Sequence, residues 1–202
     1  MDYEITLPEG MGVNVKNMSG DVKVARVTGE VRVEAVSGNV VADALTQVRL
    51  LRTMSGDIQL TGSTLDGDAN LQTVSGRVLA SALKAGMLTL GSVSGDIRLA
   101  ESTCEQATIR TVNGNIEFRS PAVMRGRYDL KSHAGDILVV TAGKTTGYVF
   151  EANTFSGAID ATASTGVHGA KTRERTVRGT VGDGAAFFDL TTFAGNIRIG
   201  GT

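Results

Sequence analysis

The chain has 202 residues, enough for one domain with its own core, and 41% of them are apolar. Only 4% are aromatic and there is no Trp, so the core must come from Val, Ile, Leu and Ala rather than large rings. With 20 Lys and Arg against 21 Asp and Glu, the net charge is −1, and nothing in it favours nucleic acid, whose binding needs a concentrated basic surface; no nucleic-acid partner is expected.

One cysteine, Cys104, excludes an internal disulfide framework, and no apolar run approaches the ~18–20 residues of a membrane span. Met1-Asp2-Tyr3-Glu4 lacks the basic and apolar regions of a secretory signal. A cytoplasmic setting therefore stays open beside an envelope domain whose leader or anchor lies outside this sequence.

Residues 1–19 read as lead-in strands, with Ile5/Leu7 and Val13/Val15 alternating on either side of Pro8-Glu9-Gly10. Met18-Ser19-Gly20-Asp21-Val22 then opens a motif that returns down the chain. Its glycines are Gly20, Gly29, Gly38, Gly56, Gly76, Gly95, Gly114, Gly135, Gly157 and Gly195. Gly20 to Gly29 and Gly29 to Gly38 are nine residues each, Gly38 to Gly56 is 18, and the next five steps run from 19 to 22. A unit of about 18–22 residues marks a solenoid or array. Residues 20–161 hold the regular repeats, and 162–202 read as a wider, aromatic-filled final portion with an irregular C-terminal cap.

Two and four residues after each glycine the side chains are apolar, as in Val22/Val24, Ile58/Leu60, Ile97/Leu99 and Ile116/Phe118. Before it, apolar residues fall at minus seven, minus five and minus two, as in Ala69/Leu71/Val74 and Leu88/Leu90/Val93. Strand alternation has a period of two, so taking all three as inward predicts a change of face or a corner between minus five and minus two. A two-residue Ser-Gly hairpin would pair Met54 with Asp57 and Val93 with Asp96, apolar against charged. The pattern instead predicts an all-β fold, a β-solenoid of short parallel strands bending at shared glycine corners, each turn stacked on the last. Just after the corner the outward residues run Asp21, Asn39, Asp57, Arg77, Asp96, Asn115, Asp136, and no two acids are adjacent. Extra residues collect at 61–67, 81–86, 100–106, 120–127 and 141–148, which predicts a second corner carrying irregular loops.

The repeated Val-Ser-Gly-Asp-Ile units, with the closing Gly182-Asp183-Gly184 and Leu190-Thr191-Thr192-Phe193-Ala194-Gly195-Asn196-Ile197, resemble the bacterial adhesin-like family of β-strand-repeat domains of unknown function. The resemblance covers roughly residues 5–200. It implies a single-stranded, right-handed, two-sheeted parallel β-helix related in shape to pectin lyases and common in envelope or surface proteins. It carries no catalytic residues. Ala134 and Ala194 stand where Ser is usual, and Ala158 where Asp is usual.

No catalytic, cofactor or metal constellation emerges. His133 occupies a minus-two slot and is expected to stack between Val112 and Phe155 of successive turns, while the only other histidine, His168, falls in the irregular tail. Cys104 aligns with Leu65 and Ala85 and reads as a buried, inert thiol. Asp66-Gly67-Asp68 and Asp183-Gly184 lack the repeated glycine-aspartate pattern of calcium-binding β-helices and read as turns. A pair of carboxylates spanning a cleft, as glycoside hydrolysis requires, is not evident.

The basic residues suggest contacts. Arg125, Arg127, Lys131 and Lys144 fall near the second corner, and Lys171, Arg173, Arg175 and Arg178 form a basic segment suited to an anionic surface. The expected function is a non-enzymatic binding or scaffold domain of the cell envelope, meeting a protein, an envelope surface or an anionic polymer. The alternative is a structural module that forms homo-oligomers through open solenoid ends. A polysaccharide-acting enzyme is a distant third.

Overall fold

A computed structural model describes residues 5–141, 147–163 and 175–201. They form strands and connections with no helix. The strands are β1 Val13–Ser19, β2 Val22–Ala25, β3 Glu30–Ser37, β4 Val40–Asp43, β5 Gln47–Ser55, β6 Ile58–Thr61 and β7 Thr64–Leu65. Next come β8 Ala69–Ser75, β9 Val78–Ser81, β10 Lys84–Ser94, β11 Ile97–Ala100, β12 Thr103–Asn113, β13 Ile116–Arg119 and β14 Arg127–Ala134. The last are β15 Ile137–Thr141, β16 Tyr148–Ser156, β17 Ile159–Ala163, β18 Thr176–Val181, β19 Ala186–Ala194 and β20 Ile197–Gly201.

Each coil lays a long strand in one sheet and a short strand in a second. The long sheet runs β1-β3-β5-β8-β10-β12-β14-β19-β16-β18, with β7 beside β10; the short one runs β17-β20-β15-β13-β11-β9-β6-β4-β2. All pairs are parallel except β16–β18, which is antiparallel. The molecule is a two-sheeted β-solenoid.

Alternation runs unbroken to the corner. In the coil of Gly76 the buried side chains are Ala69, Leu71 and Thr73, then Val78 and Ala80. The inward residue at the end of the long strand is therefore the one at minus three, which is Asn17 and Ala35 in the first two coils and a hydroxyl residue from Thr53 onward. The apolar residue at minus two points outward, contrary to the sequence reading, and no change of face occurs between minus five and minus two. Chemistry explains the exchange. Thr53, Thr73, Ser92, Thr111, Ser132, Thr192 and Thr154 each donate a hydroxyl to the carbonyl of the corner glycine in the adjoining coil, at 3.0–3.2 Å. An apolar residue there would leave that carbonyl without the bond.

The glycines themselves form a column. A methyl group added at Gly76 would overlap the carbonyl of Gly56, and φ at Gly76 is +149°, a region that side chains disfavour. The same overlap recurs from Gly38 to Gly157, each against the glycine of the adjoining coil. Gly29 does not belong to this column. A methyl there would meet Met11 and Gly12 at the opposite edge, so the two nine-residue steps mark opposite corners of one coil.

That opposite edge has its own column. Arg26, Ala44, Gly62, Ala82 and Glu101 in successive coils all have φ between +50° and +57°, and only one of them is glycine. Of the extra segments expected to be irregular loops here, 61–67, 81–86 and 100–106 supply β7 and the starts of β10 and β12 instead, 120–126 is irregular as expected, and most of 141–148 lies outside the described residues.

The C-terminal portion departs most from the expected order. After β14–β15 the chain skips a level, lays β16–β17, adds β18 along the outer edge of β16, and returns to insert β19–β20 into the gap. Phe188 fills the interior there, with ring centroids 4.5 Å from Tyr128, 5.2 Å from Tyr148 and 5.4 Å from Phe118. The last coil of the sequence is thus an inner coil of the stack, and the covering strand at that end is β18.

Candidate functional site

Three rows of side chains follow the glycine corner down the stack. The central row is the minus-two position: Met18, Val36, Met54, Val74, Val93 and Val112, continued by His133, Phe193 and Phe155. Its apolar members range from 40% exposed at Val74 to 77% at Met18. At about 4.8 Å per level, the row is about 38 Å long. Scattered exposed apolar residues are ordinary; an aligned row of this length is a continuous apolar strip.

His133 does not stack directly on Phe155, because the inserted coil places Phe193 between them. The His133–Phe193 and Phe193–Phe155 centroids are 5.0 and 4.7 Å apart, with planes within 9° and 4°. The Arg175 guanidinium carbon lies 4.8 Å from the Phe155 centroid and closes the stack with a cation–π contact. Beside these rings runs a groove of about 650 Å³, also lined by Arg110, Lys131 and Asn153. A smaller groove sits at the other end, against Met18, Val36 and Met54.

On the long-sheet side, the minus-four positions carry Lys16, Glu34, Arg52, Arg110 and Lys131 among neutral residues, a balance of +3. Across the corner, the plus-one positions carry Asp21, Asp57, Asp96 and Asp136 with Arg77 and neutral residues, a balance of −3. The plus-one row is also a hydrogen-bond ladder. A side-chain oxygen of Asp21, Asn39, Asp57, Asp96, Asn115, Asp136 or Asn196 accepts from the backbone N–H of the next level at 2.7–3.0 Å. Arg77, which has no side-chain oxygen, interrupts it between its own level and Asp96. Asp57 accepts from the Arg77 backbone N–H, which holds its carboxyl below the usual range, and the Arg77 guanidinium 2.9 Å away adds to this.

The basic residues singled out by sequence do not gather in one patch. Lys131 and Arg175 line the larger groove. Lys131 lies 3.0 Å from Asp129 and 3.5 Å from Asp189; the hydrogen bond to Asp129 leads in raising its pKa. Arg178 meets Glu151 at 2.8 Å on the edge strand. These cations offset three acids on adjacent strands, Asp129, Asp189 and Glu151. Arg127 is exposed on β14 opposite Phe187, and Arg125 sits at φ +62° in the preceding bend. Lys144, Lys171, Arg173 and His168 lie outside the described residues.

Cys104 is buried, and burial pushes its thiol up to about 12, so it is not a nucleophile at neutral pH. Tyr128 donates its hydroxyl to the Cys104 carbonyl at 3.0 Å and accepts from the Val123 N–H at 3.1 Å. Among the described residues no three His, Cys, Asp or Glu side chains converge to hold a metal, and no helix is long and apolar enough to cross a membrane. Sequence reasoning missed the apolar row because it assigned those residues to the core; the clue was Ser or Thr at minus three.

The sequence model of the Toastrack DUF4097 family matches residues 2–200. No curated protein and no solved structure matches the chain.

Proposed function

The chain belongs to the Toastrack DUF4097 family, and from that premise we propose that it is a non-enzymatic binding or scaffold domain of the bacterial cell envelope, adhesin-like in role. The observation that carries this reading is the exposed apolar row along the glycine corner, held on a stack whose every level is fixed by backbone hydrogen bonds. A rigid solenoid suits presentation of an extended contact line, because neighbouring coils hold one another in place. The groove beside His133, Phe193 and Phe155, with Arg110, Lys131 and Arg175 around it, offers both apolar contact and positive charge to an envelope polymer.

Retention of the protein by isolated bacterial envelope fragments tests the proposal. Replacing Phe155 and Phe193 together by Ser should weaken retention at least tenfold while the circular dichroism spectrum is unchanged. Unaltered retention would show that the contact lies elsewhere. Release of soluble sugar from the fragments would overturn the non-enzymatic part of the reading.

A further inference from the structure

We propose that the apolar row is the interface of a parallel homodimer, with a second copy facing it about a two-fold axis that runs along the stack. This deepens the binding reading above and rests on it for the contact face, but names the occupant. The argument is charge complementarity. The row is flanked by a basic line at minus four and an acidic line at plus one, each extending through the levels of the stack. A two-fold axis along the row sets each copy's basic line over the other's acidic line and keeps every level in register.

Level by level, Lys16 then meets the partner's Asp21, Arg52 the partner's Asp57, and Lys131 the partner's Asp136. At the other six levels a charge meets a neutral residue, or two neutral residues meet, so like charges are opposed nowhere. The antiparallel arrangement fails this test. It lays basic line on basic line, bringing Arg52 over the partner's Lys131, Asp57 over the partner's Asp136, and Asp96 over its own counterpart. Juxtaposed like charges select against a wrong orientation. The two-fold makes the interface isologous, with each apolar side chain facing its own copy.

Size sets the strength. A strip about 38 Å long and about 15 Å wide on each copy removes about 1,100 Å² from water, just above the ~1,000 Å² of a specific interface. The dimer is therefore concentration-dependent.

Light scattering over a dilution series of the full chain should show dimer giving way to monomer. Val74→Lys places two ammonium groups across the axis, and Arg52→Glu sets a carboxylate against the partner's Asp57; each should raise the dimer dissociation constant at least tenfold. Val74 and Arg52 are exposed, so at concentrations where the wild type is monomeric both variants should keep its melting temperature. Orientation is read by mild oxidation. Met18→Cys should form a disulfide with its own copy, whereas a mixture of Met18→Cys and Phe155→Cys should give no mixed dimer; Cys104 is buried and does not interfere. A monomer at every concentration, or a mixed dimer in place of the self-linked one, overturns the proposal. A wild-type monomer still held by envelope fragments through the same row would reject the second copy and leave the binding reading standing. A dimer that envelope fragments do not hold would do the reverse.

Discussion

At the scale of single residues, the fold is held at its glycine corner by atoms that a pattern of apolar and polar letters does not rank. Thr73 is buried, yet its hydroxyl is what the position requires, because it donates to the Gly56 carbonyl at 3.1 Å. Thr73→Val keeps the shape and removes the donor, so the expected loss is about 1–2 kcal/mol, the cost of a buried carbonyl left without this bond. Urea unfolding should show a lower midpoint with an unchanged slope. The outward ladder responds to acid instead. The folded-state pKa of Asp57 is lowered, chiefly by the Arg77 backbone N–H. Its contribution is therefore fully present above the ordinary carboxylate value and is lost as pH falls through that value toward the folded one. Stability should decline below about pH 4, and Asp57→Asn, which keeps the acceptor oxygen without the charge, should flatten that part of the profile. An unchanged acid limb in the variant would assign the decline to other carboxylates.

Among the elements, the period and the inward positions after the glycine were legible because a strand repeats every two residues and a stacked coil repeats its own length. Ile58/Leu60 and Ile97/Leu99 are buried as the spacing requires. Before the glycine, the same rule was legible but overruled by hydrophobicity. Val74 and Val93 read as core, yet period two had already assigned minus three, Thr73 and Ser92, to the interior. The opposite corner was hidden for another reason. Its left-handed column uses Arg26, Ala44, Ala82 and Glu101, which announce no turn, and a non-glycine residue there costs about 1–2 kcal/mol that the neighbouring ladder must offset. As for the site, Lys131 and Arg175 stand out in the sequence as cations, but the apolar row beside them does not. Its exposed line becomes evident only once minus two is placed outside.

For the whole molecule, the repeat dictates which way each side chain faces and is silent on which level a coil occupies. The strands β16 and β19 carry the same pattern, Tyr148/Phe150/Ala152/Thr154 and Ala186/Phe188/Leu190/Thr192, so either could stack on β14 by pattern alone. The chain uses its last coil as the inner one, and that choice has a consequence for cooperativity. Among the described residues, β17 pairs only with β20, and β16 reaches the remainder of the long sheet only through β19. Removing residues 182–202 should therefore detach 148–163 and 175–181 and leave β14 and β15 as edge strands, while the coils from β3 to β13 keep their neighbours on both sides. In a stack where each coil depends on the next, loss at one level propagates outward and not through the intact part. Hydrogen exchange on the truncated chain should show protection lost across β16–β18 and kept from β3 to β12. If β16 instead docks directly on β14, protection will persist in both regions. The level would then be set by arrival order during folding, and not by the fit of Phe188 among Phe118, Tyr128 and Tyr148.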